Sequence, residues 1–178
     1  MKKYFIRYKP FLFFLGTFFL VYIVLTLLYQ GYLNSFGENK MDSITKMVAR
    51  NTEQLLRLFD VDAKVVEDQS GLFFKLFYQQ NYLARIIEGC NAVSVIILFI
   101  SFVVAFSGEL KATLFFVFGG SVLIYVLNIV RIVFLTILMM RFPEQEHFLH
   151  GVVFPLFIYG VVFILWVIWV NKFSKYAK

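Results

Sequence analysis

The stretch FLFFLGTFFLVYIVLTLLY, residues 11–29, carries no charged side chain. A helix needs about 20 apolar residues to cross the hydrocarbon core of a bilayer, so this stretch is long enough to span it. Basic residues precede it and no clear small-residue cleavage site follows, which favours a retained helix over a signal peptide. Of the 178 residues, 61% are hydrophobic and only 16% are charged, so the composition indicates an integral membrane protein.

Three more apolar runs follow the first and predict an all-α, polytopic membrane helix bundle that forms one domain, residues 1–178. We place about four spans, approximately at residues 11–29, 92–108, 112–131 and 151–170. The short link between the second and third spans predicts antiparallel neighbours. The third run continues past Arg131, so it is either one long tilted helix or a span that ends near residue 130 before an interfacial segment.

Residues 30–90 contain eight of the 11 acidic residues and form a predicted segment on the outer side of the membrane. Within this segment, Ser43 can cap an amphipathic helix, because apolar residues recur at helical spacing from residue 44 to residue 59. Two short apolar strings, residues 64–66 and 72–78, flank a turn-rich link and permit a short β-hairpin.

The basic residues near the two termini predict the orientation in the membrane. Lysines and arginines are enriched in the cytoplasmic segments next to membrane spans. Such residues precede the first span and follow the last: Lys2, Lys3, Arg7 and Lys9, then Lys172, Lys175 and Lys178. We therefore predict that both termini are cytoplasmic. A net charge of +6 on so apolar a chain points to membrane orientation and not to nucleic-acid binding.

This topology places three chemically reactive residue types near the outer face. Cys90 precedes the second span, Arg131 lies towards the outward end of the third, and His150 precedes the fourth. A cysteine peptidase needs a thiolate, a base or charge partner that generates it, and a donor that stabilises the oxyanion. A helix N-terminus and a nearby cation both favour a thiolate. Asn128, three residues before Arg131, can orient its guanidinium group.

Plainer interpretations exist for each of these residues. Cys90 can be a small apolar residue at a helix start, Arg131 a charge that reaches towards the headgroups, and either histidine an interfacial polar group. His147 is an alternate base, and its spacing from His150 resembles a metal pair. No third ligand is evident, so we predict no metal and no other cofactor. The chain lacks sequence motifs of serine, zinc and intramembrane aspartyl proteases.

Three motifs resemble those of the exosortase and archaeosortase family, polytopic membrane proteins regarded as cysteine transpeptidases. They are Glu88-Gly-Cys90-Asn91, Asn128-Ile-Val-Arg131 and His150-Gly-Val-Val-Phe154. The small size, the high phenylalanine content and the C-terminal stretch are most similar to the short F-type exosortases. The chain departs from the family in having fewer spans than larger members and in having Asn91 where a serine is common. The second departure leaves the oxyanion donors near Cys90 undefined.

The resemblance implies that Cys90 is the nucleophile, His150 the general base and acid, and Arg131 the group that stabilises the thiolate or oxyanion, with Glu88 and Asn128 in support. It implies exported protein substrates with a C-terminal apolar helix and a basic end, and it leaves room for a small membrane partner protein. The implied location is the bacterial inner membrane, with the site on the periplasmic side. The alternative is a non-enzymatic membrane scaffold or assembly partner.

Overall fold

A computed structural model of the chain describes residues 2–37, 40–59, 62–106 and 108–174, with side chains from Tyr8 onward except at Pro143 and Glu146. Several residues used in the sequence predictions lie outside this description. They are the side chains of Lys2, Lys3 and Arg7, the tail residues Lys175 and Lys178, Ser107 of the second span, and Glu38 and Asp60 of the outer segment.

Six α-helices and three strands make up the described chain. In order these are α1 (Lys2–Asn34), α2 (Ser43–Leu58), β1 (Ala63–Glu67), β2 (Phe74–Tyr78), β3 (Asn81–Ile86), α3 (Val93–Ala105), α4 (Leu110–Arg141), α5 (Glu146–Phe148) and α6 (Phe154–Lys172). A 3₁₀ turn, Glu88–Cys90, precedes α3, another 3₁₀ turn, Pro143–Gln145, follows α4, and a π-helical segment, Leu149–Val153, leads into α6. The chain is therefore mainly a helical membrane bundle, as predicted.

Within the described residues, three helical segments are long and apolar enough to cross a membrane: Tyr8–Asn34, Leu110–Arg141 and Leu149–Lys172. The predicted second span corresponds to α3, which has only 13 residues, so it is shorter than an upright span requires. The third run is one continuous helix of 32 residues. Of the two alternatives that the sequence allowed, the structure therefore has the single long helix and not a span that ends near residue 130. At about 1.5 Å per residue such a helix exceeds the hydrocarbon thickness of roughly 30 Å.

The membrane core lies between α3, α4 and α6. Its fully buried residues include Phe99, Ile124, Val162 and Trp169. Gly120 allows α3 and α4 to approach closely, because a Cβ atom at this position would lie 2.3 Å from the Cζ atom of Phe99. Helix α1 lies outside this core and packs along α3.

The second core lies on the Cys90 side of the bundle and joins α2, the sheet and the C-terminal half of α4. Buried residues of this outer core include Leu56, Leu76, Ile86 and Val133. The predicted amphipathic helix is present, but its cap is Asp42 and not Ser43. The Oδ1 atom of Asp42 accepts hydrogen bonds of 2.9 Å from the backbone N–H groups at residues 44 and 45, because Asp42 has the extended backbone that an N-cap requires.

The sheet has the order β1-β2-β3 with antiparallel pairing throughout. The predicted hairpin is present as β1 and β2, and β3 is an additional strand. In the turn between β1 and β2, the Lys75 ammonium lies 2.6 Å from Asp68. This ammonium and the hydrogen bonds from Ser70 hold the pKa of the Asp68 carboxyl well below its usual range. These polar contacts fix the turn that contains Gly71 and Leu72.

Candidate active site

Cys90 lies in a tight turn between the sheet and α3. It ends the 3₁₀ turn, and its backbone N–H donates a hydrogen bond of 2.8 Å to the carbonyl of Ile87. Two residues later, Ala92 has a φ of 62° and initiates α3. This left-handed backbone is uncommon for a residue other than glycine. The Cys90 side chain is half-buried and packs against the outer core.

Asn128 connects Cys90 to Arg131. Its side chain is fully buried, and its Nδ2 atom donates a hydrogen bond of 2.7 Å to the carbonyl oxygen of Cys90. Its Oδ1 atom accepts a hydrogen bond of 3.4 Å from Nη1 of Arg131. The predicted contact between Asn128 and the guanidinium is therefore present. One side chain of α4 thus positions both the backbone of the cysteine and the cation beside it.

Arg131 is half-buried and within electrostatic range of Cys90 and of Tyr159 on α6. Its Nε atom is buried and donates to no partner within the described part of the chain. A buried cation with an unused N–H group can bind an anion, either a thiolate or the oxyanion of an acyl-transfer reaction. No sequence pattern predicts a role for Tyr159, because a tyrosine within an apolar run is not typical of any particular kind of site.

Asn91, which stands where a serine is common in the family that the sequence resembles, has a structural role in this chain. It is 2% exposed, and its Nδ2 atom donates to the Tyr29 hydroxyl at 2.7 Å and to the Thr45 hydroxyl at 3.0 Å. Its Oδ1 atom accepts a hydrogen bond of 3.0 Å from the backbone N–H of Val93. An asparagine amide has two N–H donors, and both are occupied, so Asn91 has no donor left for an oxyanion.

The same contacts show that Cys90 precedes α3 but does not belong to its first turn. Helix α3 begins at Val93, and the side chain that accepts a hydrogen bond from its first N–H group belongs to Asn91. Asn91 also links α3 to α1 and α2 through Tyr29 and Thr45. The turn that contains Cys90 is therefore held from three sides, by α1, α2 and α4.

The two histidines lie apart from this cluster. His147 belongs to α5 and His150 to the π-helical segment, and both side chains are exposed. Among the described residues, neither has a hydrogen bond or ion pair with Cys90, Asn128 or Arg131. The structure thus brings the cysteine and the arginine together and leaves both candidate bases at the surface. No group of three His, Cys, Asp or Glu side chains suited to a metal occurs in the described chain.

Residues 7–169 match the family described as transmembrane exosortase (Exosortase_EpsH). The chain belongs to this family. The match includes all three motifs, which contain Cys90, Arg131 and His150. Comparisons with curated proteins and with solved structures gave no match. The family match covers exosortases as a group, so the similarity to the short F-type members stays a prediction.

Two clefts flank the Cys90 turn of this exosortase, and Glu88 and Gly89 line both. The first has a volume of about 370 Å³ and lies beside the β1–β2 turn, where it is lined by Lys40 and Leu72 among others. The second has a volume of about 290 Å³ and lies between α1 and α3. Glu88 is exposed, so its carboxylate is accessible from the surface of the turn.

Proposed function

We propose that this exosortase is a cysteine peptidase or transpeptidase that processes the C-terminal sorting signal of exported proteins at the outer face of the bacterial inner membrane. The observation that carries the proposal is the bridge through Asn128, which holds the backbone of Cys90 at 2.7 Å and the guanidinium of Arg131 at 3.4 Å. A nucleophile and a cation that share one buried positioning group are what acyl transfer requires.

The reaction begins when the Cys90 thiolate attacks the carbonyl carbon of the scissile peptide bond. Arg131 stabilises the thiolate before attack and the oxyanion after it, since its Nε donor has no partner in the described chain. The C–N bond then breaks, and protonated His150 gives its proton to the departing amine. The product is a thioester between Cys90 and the upstream part of the substrate.

The second half of the reaction transfers the acyl group to an acceptor. An amine or a water molecule attacks the thioester carbonyl, neutral His150 removes the proton from this nucleophile, and the C–S bond breaks to return the thiolate. An amine acceptor gives transpeptidation, and water gives hydrolysis.

His150 must approach Cys90 for this chemistry, because its side chain is exposed and, among the described residues, makes no hydrogen bond or ion pair with the cysteine. The residue lies in the π-helical segment Leu149–Val153. Such segments are rare inside helices and are frequently found at functional sites. We infer that this segment brings the imidazole to the reaction centre when substrate is bound, with His147 as the alternate base.

The proposed substrates are exported proteins that end in an apolar helix followed by basic residues. Their helix would lie in the same bilayer as the enzyme, and their basic end would stay on the cytoplasmic side. The scissile bond then reaches the outer face, where we propose that Cys90 lies. A small membrane partner protein is compatible with this arrangement.

The test replaces Cys90 with alanine and with serine in cells that express an exported protein of this type. We expect both variants to accumulate the unprocessed protein while the enzyme stays in the membrane at wild-type abundance. Ala84, a half-buried strand residue, gives a control variant, Ala84→Ser, that should process normally. Normal processing by both Cys90 variants would refute the peptidase proposal and leave the scaffold function.

The side of the membrane is tested separately. Cys90 is the only cysteine, so a membrane-impermeant thiol reagent reports its location directly. We expect labelling from the outer side, and labelling from the cytoplasmic side alone would overturn the proposed topology.

A further inference from the structure

The cleft between α1 and α3 has several polar lining residues, although α1 is long and apolar enough to span a membrane. Along α1 it presents Tyr22, Thr26 and Gln30, and from the first turn of α3 it presents Ser94. Tyr22 and Thr26 are half-buried, while Gln30 and Ser94 are exposed. By contrast, the cleft at the other end of α1 is lined by apolar residues and the small residue Ala105.

The polar groups of this cleft have unused hydrogen-bonding capacity. Within the described chain, the side chains of Thr26, Gln30 and Ser94 make no hydrogen bond. A polar side chain at membrane depth normally faces protein or a water-filled cavity, because hydrocarbon offers it no partner. A ligand that brings its own donors and acceptors would satisfy these three side chains.

The cleft also borders the turn that carries Cys90, although the cysteine itself is not among its lining residues. It shares Glu88 and Gly89 with the larger cleft outside the membrane core, and Cys90 is the next residue. A polypeptide that runs from one cleft into the other must therefore cross the 3₁₀ turn that carries the cysteine. A peptide bond inside a regular helix is inaccessible to a side-chain nucleophile, so the segment that crosses this turn must be unwound to be cleaved.

We propose that the α1–α3 cleft holds the unwound first turn of the substrate's apolar helix. When that turn unwinds, its N–H and C=O groups lose their helical partners at a depth where water is scarce, and each unpaired group costs free energy. Thr26, Gln30 and Ser94 supply partners at that place. This inference rests on the proposed function and assigns the substrate's path to named residues outside the catalytic group.

A substitution at Gly89 tests whether substrate passes between the two clefts. A Cβ atom at this position would have only one neighbour within 4 Å, Cδ1 of Ile87 at 4.0 Å. The Gly89→Ala substitution therefore leaves the protein's own packing intact and narrows both clefts where they meet. Gly31, at which a Cβ would meet nothing within 4 Å, gives the matched control Gly31→Ala on α1.

The kinetic experiment uses the purified full-length enzyme in lipid nanodiscs with an exported protein that is shortened in a Cys90-dependent manner. We expect Gly89→Ala and the double variant Thr26→Val, Gln30→Leu to raise KM roughly tenfold while kcat changes less than about twofold. Gly31→Ala should retain wild-type KM. The rate of Cys90 alkylation by a small thiol reagent should be unchanged in all variants, which separates substrate capture from damage to the nucleophile.

A photo-crosslinking experiment reports the occupant directly and needs no turnover. A photoreactive phenylalanine analogue replaces Tyr22 in the Cys90→Ala enzyme, and Phe118, which is exposed on α4, is replaced as the control. We expect an adduct with the substrate from position 22 and none from position 118.

The outcomes separate the two proposals. If processing does not depend on Cys90, the proposed function fails. If it does depend on Cys90, but KM is unchanged in Gly89→Ala and position 22 gives no substrate adduct, only the cleft assignment is overturned. An adduct with lipid in place of substrate would also overturn it and would identify the cleft as a lipid site.

Discussion

The side-chain amide of Asn128 donates a hydrogen bond of 2.7 Å to the carbonyl oxygen of Cys90. The two residues are 38 positions apart, so this bond fixes the turn before α3 against the middle of α4. The same amide accepts a hydrogen bond from Arg131. The distance between Cys90 and Arg131 therefore depends on one fully buried side chain.

Replacement of Asn128 by alanine should lower both stability and activity. The substitution leaves the part-buried carbonyl of Cys90 without its partner, which costs about 1–3 kcal/mol in the free energy of unfolding. Processing should fall further than this loss of stability explains, because the guanidinium is no longer oriented. Thermal unfolding in detergent and processing rates measured on the same preparation give the two effects.

Tyr125 supplies the control for this prediction. Tyr125 lies on α4, the helix of Asn128, and its hydroxyl accepts a hydrogen bond of 2.8 Å from Asn51 on α2. Among the described residues it makes no hydrogen bond with the Cys90 turn. Tyr125→Phe should lower stability by about 1 kcal/mol and leave processing near the wild-type rate. If Asn128→Ala and Tyr125→Phe affect processing equally, the bridge has no specific role.

Arg131 should tolerate neither removal nor conservative replacement. Lysine keeps the positive charge but lacks the planar guanidinium that can hold Asn128 and an oxyanion together. Both Arg131→Lys and Arg131→Gln should reduce kcat by about 10²–10³-fold, the usual loss when one oxyanion donor is removed. Alkylation of Cys90 at neutral pH should slow only in Arg131→Gln, because only this variant loses the positive charge near the cysteine. Equal alkylation rates in all three proteins would argue against thiolate stabilisation by Arg131.

The choice between the two histidines can be made by paired substitutions. Both side chains are exposed, so His150→Ala and His147→Ala should leave thermal stability unchanged. Loss of a general base typically reduces turnover by about 10²–10⁴-fold. We expect this loss for His150→Ala and less than a twofold change for His147→Ala. The opposite pattern would assign the base to His147.

The apolar helices could be predicted from the sequence, because the hydropathy of each apolar run alone determines how favourably it enters the bilayer. This prediction requires no knowledge of the contacts that the run makes with the rest of the chain. Strand β3 was missed because its pattern is weak: Asn81 and Tyr82 are exposed, and the turn before it uses Gln79 and Gln80 at positive φ where glycine is the usual signal. Its pairing with β2 is a tertiary effect.

In the candidate site too, local contacts could be predicted from the sequence and long-range contacts could not. The contact between Asn128 and Arg131 follows from helical spacing, so it could be predicted. The contacts of Asn91 with Thr45 and Tyr29 join positions 46 and 62 residues apart, and no local pattern indicates them. The topology predicted from the charges puts His150 on the same face as Cys90. A shared face does not determine a distance, and among the described residues the histidine makes no hydrogen bond or ion pair with the cysteine.

Ala92 provides the last prediction, because its left-handed backbone sets the direction in which α3 leaves the Cys90 turn. Its φ is 62° and its side chain is 7% exposed. A β-branched residue is strongly disfavoured in this conformation, so Ala92→Val should lower the free energy of unfolding by about 2 kcal/mol or more. Ala92→Gly relieves the strain but loses a buried methyl group, worth about 0.8 kcal/mol, so its stability should stay within about 1 kcal/mol of the wild type.

Activity should follow the same order, since a displaced turn moves Cys90 away from Asn128. Ala92→Gly should process substrate at close to the wild-type rate, and Ala92→Val should lose most of its activity. Tryptophan fluorescence during thermal unfolding and the processing assay measure the two properties. Ala112→Val, at a half-buried helical position of α4, controls for the added volume, because it should cost less than about 1 kcal/mol. Wild-type stability and activity in Ala92→Val would show that the turn does not need the left-handed backbone.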